Sequence, residues 1–315
     1  MQTILIVVAA VLGSIVLGLL FSWVDRLVTA RIQWRKGPPV YQPLADIVKL
    51  LGKETVVSES ASLWPFLLAP VLGFAGVCAA AAILWAVAIN PDASFVGDLI
   101  VVIYFLTFPS LVLILGASAS GNPYGAVGAG REMKLVIGYE LPFVLAMVPA
   151  IVAAGRALSR PGFELAGSFK LSAILQAQQN GAVAGSLAGF LALLCAMAVM
   201  QAKLGVVPFD QPEAETELTG GVILEYSGPA LAMIKLMRAM LLFVLPLFII
   251  TVFWGGVSLR GWGLLATPLK VVVLLVVVVL MRNTNPRLRI EQAMKFFWFI
   301  VTPVAVIASV LSAYA

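Results

Sequence analysis

Eight long apolar runs constrain this sequence more than any other feature. The mean hydropathy is +1.06, and several runs exceed the roughly 18 residues needed to cross a hydrocarbon core. No basic segment precedes the first run and no small-residue cleavage site follows it, so we interpret it as a retained helix. We predict membrane-spanning helices over residues 3–23, 64–89, 96–119, 133–155, 181–202, 229–254, 262–281 and 296–315. The predicted fold class is therefore all-α, a polytopic membrane protein in which residues 1–315 form one helical bundle.

The distribution of basic residues predicts how this bundle is oriented. The connections after the first, third, fifth and seventh runs contain Arg26, Arg31, Arg35, Lys36, Lys49, Lys53, Arg131, Lys134, Lys203, Arg282, Arg287, Arg289 and Lys295. The other connections contain Arg156, Arg160, Lys170 and Arg260. By the positive-inside rule the first set is cytoplasmic, and both termini face outward. We expect a multi-pass protein of the inner (cytoplasmic) cell membrane, whose net charge of +5 reports orientation and not a nucleic-acid partner.

The cysteines and histidines limit the redox chemistry of the chain. Cys78 and Cys195 lie in apolar runs without CxxC spacing, and the sequence contains no histidine. This composition excludes a haem held by histidine and argues against an iron-sulfur cluster or a zinc site. We therefore expect no metal or cofactor in this chain and place any redox cofactor in a partner.

The first cytoplasmic connection predicts a short amphipathic helix. Leu44, Ile47, Val48 and Leu51 fall on one face, and Asp46, Lys49 and Lys53 fall on the other. Pro43 suits the first turn of such a helix, which can lie in the membrane interface. The preceding RKGPPVYQP segment joins two cations to a rigid Gly-Pro-Pro turn.

An acidic segment lies between the fifth and sixth runs. Residues 205–228, called here the acidic loop, contain five of the fifteen acidic residues: Asp210, Glu213, Glu215, Glu217 and Glu225. The Asp-Gln-Pro-Glu sequence predicts a helix start with Asp210 as the N-cap. On the helix that follows, Glu213 and Glu217 should share a face, with Glu215 turned away. Such a cluster can hold a carboxyl group with a raised pKa, as proton transfer requires, and a capped, solvated loop helix is the alternative.

One acidic residue interrupts the fourth run. Inserting Glu140 there costs roughly 3 kcal/mol or more, so we expect its side chain to face a cavity or a partner and to serve a function. The alternative is a structural ion pair with Lys235 or Arg238. These two cations share a face of the sixth run, where they could instead neutralise the acidic loop.

Two further connections carry weaker signals. The outer connection, residues 155–180, contains the polar sequence QAQQN and is predicted to be a solvated link. The last cytoplasmic connection, RNTNPRLRIEQAMK, is basic and short. A topology anchor explains it fully, and a docking surface for a soluble partner is the sharper alternative.

Three motifs carry a resemblance that covers essentially the whole chain. RKGPPVYQPLADIVKLLGKE, PFDQPEAETELTGGVILEYSG and NTNPRLRIEQAMKFFW resemble the membrane subunit shared by respiratory complex I and the complex-I-like, membrane-bound nickel-iron hydrogenases. In complex I this is the H-type subunit of NADH-quinone oxidoreductase, and it borders the quinone site. The P-F-D-x-P-E-A-E core followed by E-Y-S-G is long and specific.

Two details favour the hydrogenase or formate hydrogenlyase branch of that family. Complex I subunits usually carry a G-P-N-R-x-G turn in the first connection, whereas this chain has Gly37, Pro38 and Pro39 followed by Val40. The NTNPRLRIEQAMKFFW segment is also more similar to subunits of the energy-converting hydrogenases. Related oxidoreductases with other electron acceptors, including sulfane-reducing ones, would share the altered turn.

The resemblance implies a subunit that is not catalytic alone and that couples electron transfer to translocation of protons or sodium ions. Its implied partners are hydrogenase-like large and small subunits, an iron-sulfur subunit, antiporter-like membrane subunits and the lipid bilayer. The nickel-iron centre and the iron-sulfur clusters would lie in those partners. A proton relay is expected at Glu213, Glu215, Glu217, Glu140, Glu225 and Asp210, with Lys235 and Arg238 as charge partners. The expected interface with the peripheral arm comprises Arg35, Lys36, Gly37, Pro38, Gln42, Arg287 and Arg289.

Two other functions remain open at this point. The first is the quinone-site subunit of a respiratory NADH-quinone or related oxidoreductase. The second is a stand-alone secondary transporter, which would carry internal inverted repeats and broken helices around a midplane site. Neither of those transporter features is visible in the sequence.

Overall fold

A computed structural model describes residues 2–158, 167–257 and 263–314. Within these ranges the chain is helical and contains no strand. The helices are α1 (Gln2–Ile32), α2 (Gln42–Leu51), α3 (Leu63–Ile89), α4 (Asp98–Ala119), α5 (Pro123–Leu158), α6 (Leu171–Ala177), α7 (Leu187–Lys203), α8 (Glu215–Leu218), α9 (Gly228–Phe253), α10 (Gly263–Thr284), α11 (Ile290–Phe296) and α12 (Thr302–Tyr314). The predicted all-α class is confirmed.

Seven helices of the described ranges are long and apolar enough to cross a membrane. They are α1, α3, α4, α5, α9, α10 and the continuous stretch Ile290–Tyr314, in which a π-helical turn joins α11 to α12. The fifth predicted span is a shorter apolar helix, since residues 183–185 form a 3-10 turn and α7 has 17 residues. At 1.5 Å per residue α7 is roughly 26 Å long, slightly less than the thickness of a hydrocarbon core. The protein is thus a polytopic membrane protein.

Helix α9 forms the centre of the bundle. Every residue from Ala239 to Phe253 is buried, as expected for a helix that is apolar on all sides. Helices α1, α3, α7 and α10 pack around it. At Gly18 the backbone of α1 approaches so closely that an added Cβ would collide with the carbonyl group of Ala239. These four helices are therefore positioned by their contacts with α9.

Helix α5 begins ten residues earlier than the apolar pattern indicates. It starts at Pro123 and not at residue 133, so Arg131 and Lys134 lie on a helix and not in a connection. Lys203 was also expected in a cytoplasmic connection. It is the last residue of α7 instead, and it is buried. Lys203 thus lies in the packed part of the protein and Arg131 is partly buried, whereas Lys134 stays exposed.

The predicted amphipathic helix is present as α2, packed against α1 and α9. Pro43 and Ile47 are buried, whereas Leu44, Val48 and Leu51 are exposed apolar side chains. Asp46 accepts hydrogen bonds from Arg26 at 2.7 Å and from Gln42 at 2.9 Å. Burial raises the pKa of Asp46, but these two hydrogen bonds outweigh burial and hold the pKa below its usual value. The pair with Arg26 fixes α2 against α1.

The described part of the outer connection is not a solvated link, contrary to expectation. Residues 159–166 of this connection lie outside the described ranges, and α6 follows them. The amide nitrogen of Gln178 donates to the carbonyl group of Thr251 at 2.9 Å, and its amide oxygen accepts from the backbone of Gly255 at 2.6 Å. Gln178 is consequently buried and closes the end of α9, where the last carbonyl groups lack helical partners.

Candidate functional site

The acidic loop is fixed at its start by packing and by backbone hydrogen bonds. The ring of Phe209 lies 4.8 Å from that of Phe297 and 5.7 Å from that of Phe296. The backbone amide of Leu288 donates to the carbonyl group of Pro208 at 3.2 Å. The connection between α10 and α11 is therefore an ordered partner of the acidic loop within this chain.

The end of the loop is held by a second set of contacts. Glu225 accepts a hydrogen bond from Asn122 at 2.5 Å. The hydroxyl group of Tyr226 donates to the carbonyl group of Phe66 at 3.2 Å, and the two rings stack at 4.3 Å. Burial raises the pKa of Tyr226, so it acts as a neutral donor. The structure places Glu225 as an anchor beside the start of α5, away from the other acidic residues of the loop.

The prediction of one helix carrying Glu213 and Glu217 on a shared face is wrong. Gln211–Glu213 forms a 3-10 turn, Ala214 leaves helical geometry at ψ 97°, and α8 begins only at Glu215. The side chain of Asp210 makes no cap hydrogen bond. Instead its carboxylate accepts from Arg287 at 2.9 Å to Nε and 2.5 Å to Nη2. Pro212 lies in the 3-10 turn, and Asp210 pairs with Arg287 instead of capping a helix.

Three carboxylates of the loop pair with three cations from separate elements. Asp210 pairs with Arg287 of the last connection. Glu213 pairs with Arg238 of α9, and Glu217 pairs with Arg131 of α5. The hydrogen bonds to Asp210 raise the pKa of Arg287. The repulsion expected between neighbouring glutamates is therefore relieved by ion pairs, and the loop joins α5, α9 and the end of α10.

The side chains of Glu213 and Glu217 differ in burial: Glu213 is 19% exposed and Glu217 is 49% exposed. Glu215 is exposed. No described cation forms an ion pair with Glu215. Of these three glutamates, Glu213 lies closest to the interior.

A buried ion pair joins α7 to α5 inside the bundle. The ammonium group of Lys203 lies 2.8 Å from Oε2 of Glu140 and donates to Thr107 at 2.8 Å, and Thr107 donates to Oε1 of Glu140 at 2.9 Å. The Lys203 side chain is 1% exposed. Its ammonium group also lies over the rings of Tyr139 and Phe143, 4.9 Å and 4.6 Å from their centroids. These contacts offset part of the cost of burying the charge.

Glu140 does not form the ion pair with Lys235 or Arg238 that was the alternative to a functional role; its partner is Lys203. Arg238 is committed to Glu213, and Lys235 is exposed on α9. Glu140 is 25% exposed and shares an outward face of α5 with Ile137 and Leu141, both about half exposed. Within the ion pair, Lys203 is thus buried in the bundle, whereas Glu140 is partly exposed at the lateral surface of α5.

A second buried carboxyl group, missed by sequence reasoning, lies between the loop and this ion pair. Glu132 on α5 is 8% exposed and has no ion-pair partner among the described cations. With Ser110 it faces a narrow cavity of about 20 Å³, roughly the space of one water molecule, that Lys203 and Glu213 also line. The predicted span began at residue 133, which left Glu132 just outside it. The small residues Gly128 and Gly130 before it offered no apolar signal that would extend the helix.

A larger charged cavity adjoins the loop between α1, α9 and α10. Its volume is about 480 Å³, and its lining includes Glu213, Glu215 and Lys235. At its wall Arg282 pairs with Asp25, so α10 and α1 are joined by charge as well as by packing. Lys235 and Arg238 both line this cavity, as their shared helix face indicated.

The residues expected at the peripheral-arm interface divide into two groups. Arg35, Lys36 and Arg289 are exposed. Gly37 and Pro38 pack on α1, where Trp23 donates to the carbonyl group of Pro38 at 2.9 Å. Within the same set, Gln42 binds Asp46 and Arg287 holds Asp210. The Gly-Pro-Pro turn is thus a fixed platform that presents two cations.

The fold and the site together define a polytopic membrane subunit. A charged loop at one end of its bundle is connected by a cavity to an intramembrane ion pair. The sequence matches the model of the NADH dehydrogenase family over residues 3–313. This chain belongs to that family.

Similar proteins agree on this family and extend over nearly the whole chain. The H subunit of NADH-quinone oxidoreductase from Thermomicrobium roseum is 34% identical and covers 95% of this chain and 92% of its own. The corresponding protein of Syntrophotalea carbinolica is 33% identical, with coverage of 98% and 95%. A chain from the membrane-bound sulfane sulfur reductase, an archaeal respiratory membrane complex, matches with a TM-score of 0.86 and 28% identity over 99% of this chain and all of the other. The protein is thus a membrane subunit of the complex-I-like oxidoreductases.

Proposed function

We propose that this chain is the integral-membrane subunit of a complex-I-like, membrane-bound hydrogenase. It anchors a peripheral nickel-iron and iron-sulfur arm and couples electron transfer to translocation of protons or sodium ions. The observation that carries this proposal is the line of charged groups from Glu213 through the cavity with Glu132 to the Lys203–Glu140 pair. A structural core needs no such line, because intramembrane charges are expensive and mostly serve function.

The coupling starts at the acidic loop. A change of charge or position in the peripheral arm alters the balance of the Asp210–Arg287 and Glu213–Arg238 pairs, because interacting ionisable groups titrate together. Arg238 lines the same cavity as Glu132. When Arg238 loosens from Glu213, its charge stabilises an ionised Glu132, and Lys203 and Glu140 respond next. Charge thereby moves inward without a cofactor in this chain.

The lateral opening of Glu140 gives the path an exit. The neighbouring surface of α4 and α5 is formed by exposed apolar side chains, including Tyr104, Leu111, Ile137 and Val144. A partly open carboxylate within an apolar face suits contact with another membrane subunit that receives the charge. Antiporter-like membrane subunits are the partners proposed for this face.

The redox centres are proposed to lie in partner subunits. The thiol of Cys78 lies 3.8 Å from the sulfur of Met240, and that of Cys195 lies 3.6 Å from the carbonyl oxygen of Val301. Both thiols are inside helical packing and far apart in the sequence, which does not suit a cluster site. Hydrogenase-like large and small subunits and an iron-sulfur subunit would dock on the exposed cations Arg35, Lys36 and Arg289.

Two sequence features favour a hydrogenase subunit, and two other observations favour a quinone-site subunit. The Gly-Pro-Pro turn and the NTNPRLRIEQ segment favour the hydrogenase branch. The charged cavity of about 480 Å³ and the relatives named as H subunits of NADH-quinone oxidoreductase favour the second candidate, a quinone-site subunit. Because the chain belongs to a subunit family, a stand-alone transporter is not proposed.

Purification of the intact complex in mild detergent separates the two branches. The hydrogenase proposal expects a nickel-iron large subunit with cysteine motifs to co-purify, and hydrogen evolution that quinone-site inhibitors do not affect. Quinone-dependent, inhibitor-sensitive electron transfer with no hydrogen evolution would favour the second candidate and overturn the first.

The coupling role is tested with Glu132, the residue that the apolar pattern left out. In inverted vesicles, Glu132→Gln should lower electron-driven ion uptake by about tenfold or more while electron transfer continues. Glu59→Gln is the matched control, since Glu59 is exposed in the first connection. Wild-type ion uptake in Glu132→Gln would show that neither Glu132 nor its cavity is part of the coupling path.

A further inference from the structure

An apolar cavity lies in the half of the bundle farther from the acidic loop, and it extends to the middle of α1 and α9. It is lined by α1, α3, α9 and α10 and has a volume of about 230 Å³. Its lining includes Leu17, Trp85, Leu247, Val271 and Val272. Nearly every lining group is apolar, so a water molecule in the cavity would find few hydrogen-bond partners. A hydrocarbon chain is the kind of ligand that such a cavity favours.

Aromatic rings separate this cavity from the charged one. Phe21 and Phe243 meet edge to face at 5.6 Å, and Trp85 stacks on Phe243 at 6.5 Å. The adjacent residues, Ser22 and Leu242, line the charged cavity. A ligand in the apolar cavity therefore has no open route for its polar part toward the acidic loop.

A lysine lies at the other side of the apolar cavity. Lys270 precedes Val271 on α10, and its ammonium group donates to the carbonyl group of Trp254 at 2.6 Å. Trp254 is the C-cap of α9, so the cation sits at the level where that helix ends, and the helix dipole favours it there. No described carboxylate forms an ion pair with Lys270. An ammonium group has three donors, and Trp254 is the partner that the described residues provide.

The α10 wall of the cavity faces outward from the bundle. Leu265 and Leu269 are about two-thirds exposed, and Val272 is 43% exposed. A long apolar ligand can therefore enter sideways from the bilayer. Its polar end then meets Lys270 at the boundary of the hydrocarbon region.

We propose that this cavity and Lys270 form a binding site for one anionic phospholipid. An acyl chain fills the space between Leu17, Leu247 and Val272, and the phosphate accepts hydrogen bonds from the ammonium group of Lys270. An anionic headgroup would pair with the ammonium group of Lys270. An isoprenoid ligand with a neutral head would leave that ammonium group without a counter-charge. This site is independent of the path through Glu132 and of the electron acceptor.

The test uses the whole complex in nanodiscs of phosphatidylglycerol and phosphatidylcholine. After extraction into mild detergent, the retained phosphatidylglycerol is counted per complex by mass spectrometry. Lys270→Met should lower it by about one molecule per complex, because the remaining lipids are held by other surfaces. Lys170→Met is the matched control at the same end of the bundle.

A second pair of variants tests the cavity separately from the charge. Val272→Trp fills the space and should also lower retained phosphatidylglycerol by about one molecule. Val273→Trp is its control, since Val273 is 40% exposed and does not line the cavity. Equal retention in all variants would overturn the proposal. It would also be overturned if Val272→Trp lost an isoprenoid quinone with phosphatidylglycerol unchanged. If either Lys270→Met or Val272→Trp fails to assemble, the lipid count of the other variant decides the test.

Discussion

Lys203 at the end of α7 and Glu140 in the middle of α5 form an ion pair at 2.8 Å within the helical bundle. Such a pair is a weak source of stability, because removing two charges from water costs nearly as much as their attraction returns. In the proposed coupling path, the pair holds a charge that responds to other charges. Thr107 bonds both partners and fixes the geometry in which they do so.

The first prediction concerns the stability of this pair. Lys203→Met leaves the carboxylate of Glu140 without its cation and should destabilise the protein by about 3–5 kcal/mol. Adding Glu140→Gln to that variant should recover most of the loss, because no unpaired charge then remains. Thermal unfolding in detergent measures both effects. An additive double variant would show that the two side chains are not coupled.

The second prediction concerns the order of the acidic loop. Arg287→Ala removes the bidentate partner of Asp210 and should raise hydrogen exchange across residues 205–218, since the loop loses one of its anchors. Arg289→Ala is the matched control, because Arg289 is exposed and two residues away. Equal exchange in both variants would mean that the Asp210–Arg287 pair does not anchor the loop.

The third prediction ranks the glutamates of the loop. Glu213 lines both charged cavities and pairs with Arg238, so Glu213→Gln should slow electron-driven ion transport by about tenfold or more. Glu215→Gln should stay near the wild-type rate, because Glu215 is exposed and lies outside the cavity of Glu132. The reverse order, measured in inverted vesicles, would contradict the path.

The fourth prediction is a pH dependence at the Arg26–Asp46 clamp. The pKa of Asp46 is lowered in the folded protein, so its stabilisation is present above the unfolded pKa and is lost as pH falls through the folded pKa. Asp46→Asn should cost about 0.2–1 kcal/mol at pH 7, since both partners are partly exposed. The cost should be constant between about pH 6 and 8 and should shrink only below about pH 4. A cost that changes between pH 6 and 8 would contradict this assignment.

Apolar periodicity predicted the helical class, the position of α2 and most spans correctly. These features depend on local hydrophobicity, which a sequence displays directly. It placed the start of α5 too late, because Gly128, Gly130 and Arg131 interrupt the apolar signal while tertiary contacts with the acidic loop stabilise the helix. Helix-end residues such as Lys203 look like loop residues by the same criterion.

The sequence could not predict which cation pairs with which carboxylate in the site. Charge spacing along one segment suggested a repelling face of Glu213 and Glu217. The structure resolves that repulsion with Arg238 and Arg131, which are distant in sequence. Likewise Glu140 pairs with Lys203 and not with Lys235, because the packing of α5 against α7 decides which cation reaches it.

The most direct test of the proposed coupling is the number of ions moved per electron pair by Glu140→Gln, measured in proteoliposomes containing the intact complex. Glutamine keeps the size of the side chain and its bond from Thr107 but holds no charge, so electron transfer should continue while the ion yield falls by about tenfold or more. Glu291→Gln, an exposed substitution on α11, should keep the full yield. A wild-type ion yield in Glu140→Gln would contradict the path through the Lys203–Glu140 pair.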